Sequence, residues 1–132
     1  MNSLEALARM ASPISAYTDE GSAKKKAMHS KGRAFLRRLA ADMGLAKGTF
    51  DIRSNQGGIA VSGEVTLHGE RVYVQLAEWY GSRGGVSILY RSCNGRKDYC
   101  GGRNNSIRMT DVAVNYPAFV AACKRLELEV VK

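Results

Sequence analysis

Thr49-Phe-Asp-Ile-Arg-Ser-Asn-Gln-Gly-Gly-Ile-Ala-Val-Ser-Gly-Glu-Val-Thr-Leu-His-Gly-Glu-Arg-Val-Tyr-Val-Gln-Leu76 repeats its apolar residues with a period of two. Phe50 and Ile52 alternate with Asp51 and Arg53; beyond Gly57-Gly58, the set Ile59, Val61, Val65 and Leu67 alternates with Ala60, Ser62, Glu64, Thr66 and His68. Successive strand side chains point to opposite faces, so this pattern predicts half-buried strands with one apolar side. Gly69 offers a positive φ for a tight hairpin at His68-Gly69-Glu70, and Val72, Val74 and Leu76 continue the apolar face on a third strand. After a loop containing Gly81, Gly84 and Gly85, Val86, Ile88 and Tyr90 begin a fourth.

Downstream, Asn94-Gly95 is the dipeptide preferred in type I′ hairpins, and the implied register sets Cys93 opposite Arg96, Arg91 opposite Asp98, and Tyr90 opposite Tyr99. Thr110 or Asp111 can open a turn, and Pro117 suits the first position of a final helix carrying Phe119, Val120, Cys123 and Leu126. Leu128, Val130 and Val131 fit either a last edge strand or a frayed tail. Upstream, the period is helical: Phe35, Leu36, Leu39, Ala40 and Met43 predict a helix from about Ser30, closed by Gly44 as its C-cap. In residues 1–29, Leu4, Leu7, Ala8 and Met10 fit only about two turns of helix, which is marginal without packing, and Ser12–Ser22 is rich in Ser, Pro, Thr and Gly. The expectation is therefore a flexible basic arm over 1–29 and a single α+β domain over 30–132. In that domain an N-terminal and a C-terminal helix cover a mostly antiparallel sheet of four or five strands.

Working outward to the whole chain, 132 residues suit one core, and an apolar share of 45% excludes disorder throughout. Lys+Arg 20 against Asp+Glu 12 leaves a net charge of +8, which points to an anionic partner. No stretch approaches the roughly 20 apolar residues of a membrane span, and no secretory h-region opens the chain, so a cytoplasmic protein with no membrane partner is expected. Cys93, Cys100 and Cys123 form no CxxC pair, which argues against a zinc ribbon or a thioredoxin-like site and for reduced thiols.

Two basic segments are candidates for binding, and together they are expected to form one binding surface. Lys24, Lys25, Lys26, Lys31, Arg33, Arg37 and Arg38 run without an intervening acid. Such a run either releases counterions from a phosphate backbone or keeps a solvated helix face soluble; the missing acids favour binding, because solubilising faces mix both signs. Arg91, Arg96, Lys97, Arg103 and Arg108 are interleaved with Tyr90, Tyr99, Asn94, Asn104 and Asn105, a mixture suited to phosphate clamping and base stacking, or else to a hairpin followed by a polar loop with Tyr90 and Tyr99 as a cross-strand packing pair. Of the pair Trp79-Tyr80, Tyr80 is the candidate for stacking and Trp79 for the core. Catalysis has less support: His29 and His68 lack nucleophile partners, and His68 with Cys93 or Cys100 lacks ligand spacing. Glu64, Glu78 and Asp98 are the carboxylates that a metal-dependent nuclease could use. No catalytic residue, cofactor or metal is expected.

Lys31-Gly-Arg-Ala-Phe-Leu-Arg-Arg-Leu, Thr49-Phe-Asp-Ile-Arg-Ser-Asn, Gly58-Ile-Ala-Val-Ser-Gly-Glu-Val-Thr-Leu-His and Tyr90-Arg-Ser-Cys-Asn-Gly-Arg-Lys-Asp-Tyr carry a resemblance over about residues 30–105. The segment resembles a family of small proteins carried by plasmids, integrative elements and phages of proteobacteria. That resemblance implies an accessory role on a mobile element, where small proteins handle DNA or RNA or disarm host defences such as CRISPR systems. The expected function is thus a non-enzymatic module binding nucleic acid, DNA or RNA, or a host nucleoprotein complex. An inhibitor of a host defence complex acting by protein contact is the first alternative, and a metal-dependent nuclease the second.

Overall fold

In the computed structural model, residues 3–8, 19–57, 63–78, 85–98 and 101–128 are described. Two helices, α1 (Ser3–Ala8) and α2 (Asp19–Met43), precede β1 (Phe50–Asn55), β2 (Glu64–Gly69), β3 (Val72–Glu78), β4 (Val86–Ser92) and β5 (Asn105–Arg108). Two more, α3 (Met109–Val114) and α4 (Tyr116–Glu127), follow. The strands pair antiparallel in sequence order, β1-β2-β3-β4-β5, which gives the expected α+β architecture.

The register turns the sequence alternation into two unlike faces. Ile52, Leu67, Val74 and Tyr90 form one row across four strands, and Val65, Leu76, Ile88 and Ile107 form the next on the same side. This apolar side is the one the helices cover: Phe35, Leu36, Leu39 and Met43 of α2, Met109 and Val112 of α3, and Phe119, Cys123 and Leu126 of α4 join it in one core. On the other side, Asp51, His68, Tyr73 and Arg91 make a polar row, with Arg53, Thr66, Gln75, Leu89 and Ser106 beside it.

Where structure and sequence pattern part, local physics explains the difference. The helix expected from Ser30 begins at Asp19, so the boundary at residue 30 between arm and domain falls inside α2. Asp19 and Glu20 favour the positive end of the helix dipole, and the inward seam continues upstream through Gly32, Met28, Lys25 and Gly21. Gly32 is on that seam because α2 approaches the sheet closely: a Cβ there would stand 3.2 Å from the Val65 side chain. At the far end Gly44 takes φ +77°, and the Leu45 N–H donates to the Ala40 carbonyl at 3.0 Å, the expected glycine cap. The short α1 is also part of the domain, since Leu4 and Leu7 are buried in the core and α1 packs on α2 and α3.

The β2–β3 hairpin is tight as expected, but Glu70 and Arg71 turn the chain, and Gly69 does not take the expected positive φ because it ends β2 paired with Phe50. The second strand is described from Glu64, beside Gly63 at φ +70°; Ile59 and Val61 lie outside the described residues. The Asn94-Gly95 hairpin does not form. A type I′ turn needs positive φ at both central residues, and only Gly95 has it, at +122°. Instead the Asp98 carboxylate accepts the Asn94 N–H at 2.9 Å, and the chain runs on to pair β4 with β5, placing Asn105 rather than Tyr99 opposite Tyr90. Asn115 caps α4 by accepting the Ala118 N–H at 3.3 Å, with Pro117 in its first turn.

Candidate nucleic-acid interface

An α-helix advances about 100° per residue, so positions seven apart lie nearly in line. On α2 this places Lys24, Lys31 and Arg38 along one flank of the buried seam, and Lys26, Arg33 and Arg37 along the other. The outward ridge between the two rows carries Ala23, Ala27, Ser30, Ala34 and Ala41. Lys26, Lys31, Arg37 and Arg38 are exposed and Lys24 and Arg33 half-exposed, whereas Lys25 is on the seam at 5% exposure and presents no charge outward. Lys24 pairs with Glu20 at 3.3 Å, and Arg38 pairs with Asp42 at 3.5 Å while stacking 4.4 Å above the Tyr116 ring. Tyr116 donates its hydroxyl to Asp42 at 2.7 Å, and burial together with that bond pushes the phenol well above its ordinary range. Arg33 donates to Ser54 Oγ at 3.1 Å, and the same hydroxyl meets His29 Nδ1. Exposed ion pairs are worth about 0–1 kcal/mol, so Lys24 and Arg38 can exchange these partners for a phosphate at small cost.

The cations of the β4–β5 connection are arranged differently. Arg91 is 4% exposed on the polar face, with its guanidinium 4.4 Å from the centroid of Tyr73 and within 3.5 Å of the carbonyls of Ser92 and Asp98. Gly101 packs so closely that a Cβ would collide with the Ser92 carbonyl and the Arg91 guanidinium. Arg91 is thus an interior post around which the connection folds. Arg96 reaches across the sheet end, pairing with Glu70 at 3.0 Å and Asp51 at 3.7 Å and donating to the Gly48 carbonyl at 3.1 Å. Asn105 spends its amide on the carbonyls of Tyr90 and Arg103, both at 3.2 Å. Lys97, Arg103, Asn104 and Arg108 are exposed, and Tyr80 and Tyr99 lie outside the described residues. By strand parity Arg91 and Arg108 face away from the helices, so the sheet separates them from the α2 rows.

Beneath this connection His68 is wholly buried, edge-on to Tyr73 at 5.0 Å between ring centroids. Burial lowers its pKa from the ordinary 6.5, aided by the Arg53 and Arg91 charges and opposed by backbone bonds with Gly95 and Asp98. Cys93 is buried close by, and its thiol donates to the Gly69 carbonyl at 3.4 Å; burial raises its pKa. Glu64 pairs with Asn55 and Ala77 at one end of the sheet, while Asp98 is at the other, beside Asn94. Among the described residues no group of three or more His, Cys, Asp or Glu side chains could hold a metal ion. No helix among them is long and apolar enough to cross a membrane.

Sequence reasoning missed Lys124 and Arg125, which are exposed in the last turn of α4. Phe35 of α2 packs against Tyr116 and Phe119, so α4 shares the helical layer with α2 and brings both cations to the same side of the sheet. Their position at a helix C-terminus was the available signal, but it has an equally good explanation in the helix dipole. No protein-family model, curated protein or solved structure matches the chain.

Proposed function

We propose that the protein is a non-enzymatic nucleic-acid-binding module whose contact surface is the outer side of α2. The observation that carries this reading is the sign of the charge: from Gly21 to Ala41, α2 holds seven cations and no acid, and six of the seven emerge on its outer flanks. A helix serving solubility alone would interleave acids at i,i+4, which would also stabilise it by about 0.2–0.5 kcal/mol per pair. Apart from the Glu20–Lys24 and Arg38–Asp42 pairs at its two ends, α2 omits them, which leaves its middle with repulsion that a polyphosphate relieves. The resemblance to proteins of mobile elements supports an accessory role in such an element.

The test is the salt dependence of binding to a short fluorescent duplex and to a single strand, by anisotropy from low to physiological salt. Binding by the parent should weaken steeply with salt, and Lys31→Glu with Arg37→Glu should both weaken it and flatten the slope, by about 0.7–0.9 for each phosphate no longer neutralised. Failure of the parent to bind either polymer at low salt would leave the protein-directed inhibitor as the better account.

A further inference from the structure

The geometry points to a double-stranded nucleic acid, rather than a single strand, as the ligand of α2; this rests on the nucleic-acid reading above. A single strand offers one line of phosphates and exposed base faces, and its binders combine one cationic track with aromatic platforms. The outer side of α2 has the opposite character. Its cations form two lines on opposite flanks, separated by a ridge of alanines and one serine that offers no ring to stack on. Among the described residues every aromatic ring is buried or half-buried, and the two half-buried ones, Phe50 and Tyr90, pack against the core.

Dimensions agree with two strands. A helix with its side chains is about 10–12 Å across, comparable with the roughly 12 Å between the phosphate walls of a B-form major groove. At 1.5 Å per residue the row from Lys24 to Arg38 runs about 21 Å and the row from Lys26 to Arg37 about 16 Å, enough for several phosphates along each wall. The small ridge lets the helix come close enough for both rows to reach phosphate at once. Its methyl groups and single hydroxyl read almost no base-edge pattern, so binding is set by backbone and shape and is nearly indifferent to sequence.

The experiment compares a 20-base-pair DNA duplex, the matching RNA duplex and each DNA single strand, all binding the full chain. At 0.1 M salt each additional phosphate neutralised is worth about eightfold, so engaging the second row should favour a duplex by tenfold or more. Lys31→Gln with Arg38→Gln removes two of the three cations of one row and Lys26→Gln with Arg37→Gln two of the three of the other; each pair should flatten the duplex salt slope, and together they should do so additively. Ala34→Glu, on the exposed ridge and compatible with helix, should weaken duplex binding about tenfold while the urea midpoint stays put. Preference for the DNA over the RNA duplex identifies the wide groove as the seat, and equal binding identifies the outer backbone; both support a duplex ligand. Single strands binding as well as duplexes, or only one row affecting the slope, would overturn the duplex inference and leave the nucleic-acid reading standing. No binding by any of the polymers overturns both.

Discussion

Arg91 shows how a residue's surroundings decide what its charge does. Read from sequence it belongs with Arg96 and Lys97 as a phosphate-binding cation, yet it is interior, with its guanidinium over the Tyr73 ring. A buried cation–π interaction and charged hydrogen bonds to carbonyls are together worth a few kcal/mol. Arg91→Met, which keeps the apolar stem, should therefore destabilise by about 1–3 kcal/mol and leave the salt slope of polyanion binding unchanged. An unaltered urea midpoint with a flattened slope would return Arg91 to the binding surface. His68 makes a second prediction, on pH. Its folded-state pKa lies below the ordinary 6.5 because burial disfavours the imidazolium, with Asp51 and Arg53 on β1, Tyr73 on β3, and Arg91, Cys93 and Asp98 around the β4–β5 connection. Between the two values the unfolded chain holds the proton and the folded chain does not, so stability declines as pH falls below about 6.5 and is retained above it. The urea midpoint measured from pH 7.5 to 5.5 should fall in the parent and fall less in His68→Gln; equal slopes would show that His68 carries none of the dependence.

Elements differ in how openly their sequences announce them. The strands were readable because Val65, Leu67, Val74 and Leu76 alternate with polar residues and meet on one face, as two-residue periodicity requires. The C-terminal helix was readable from Pro117 and the spacing of Phe119, Cys123 and Leu126, all three buried. The first half of α2 was not, because its inward positions are Gly21, Lys25, Met28, His29 and Gly32, where Met28 alone is a large apolar side chain and makes no stripe. Small residues suit that seam, since they let helix and sheet approach, but a periodicity argument counts only large apolar side chains. β5 was hidden for another reason: Asn94-Gly95 is a strong local hairpin signal, and the long-range pairing of Ile107 with Ile88, which buries apolar surface, prevails over it. The α2 seam yields a prediction of its own. Gly32→Leu gains helix propensity of up to about 1 kcal/mol but must displace the Val65 and Leu76 side chains, and overpacking costs about 1–3 kcal/mol. The variant should be less stable than the parent; a higher urea midpoint would show that α2 can lift from the sheet without loss.

Across the whole molecule, the +8 charge is unevenly placed, and its distribution separates two clusters that the sequence alone would join. At the sheet end under the β4–β5 connection, cations meet acids: Arg53 pairs with Asp51 at 3.0 Å, and Arg96 with Asp51 and Glu70. Along the middle of α2 no acidic residue stands between Glu20 and Asp42. Ion pairs offset part of the charge of the first region, and Arg91 is buried in it, whereas the middle of α2 is unopposed, so attraction of a polyanion comes chiefly from the helical side. Sequence could name both sets of basic residues but not their sides, because the side of Arg91 and Arg108 depends on strand register and on the course of the β4–β5 connection. The two sets should therefore act independently on a ligand short enough to cover one face. Arg103→Gln with Arg108→Gln, both exposed and Arg108 on the sheet face away from the helices, should leave the salt slope for a 20-base-pair duplex within error of the parent. Lys31→Glu with Arg37→Glu should flatten it by about 0.9 for each phosphate that the helix then fails to neutralise. If instead both double variants flatten the slope, and the combined variant flattens it by their sum, one short duplex reaches both faces around a sheet edge, and a binding surface confined to α2 is wrong.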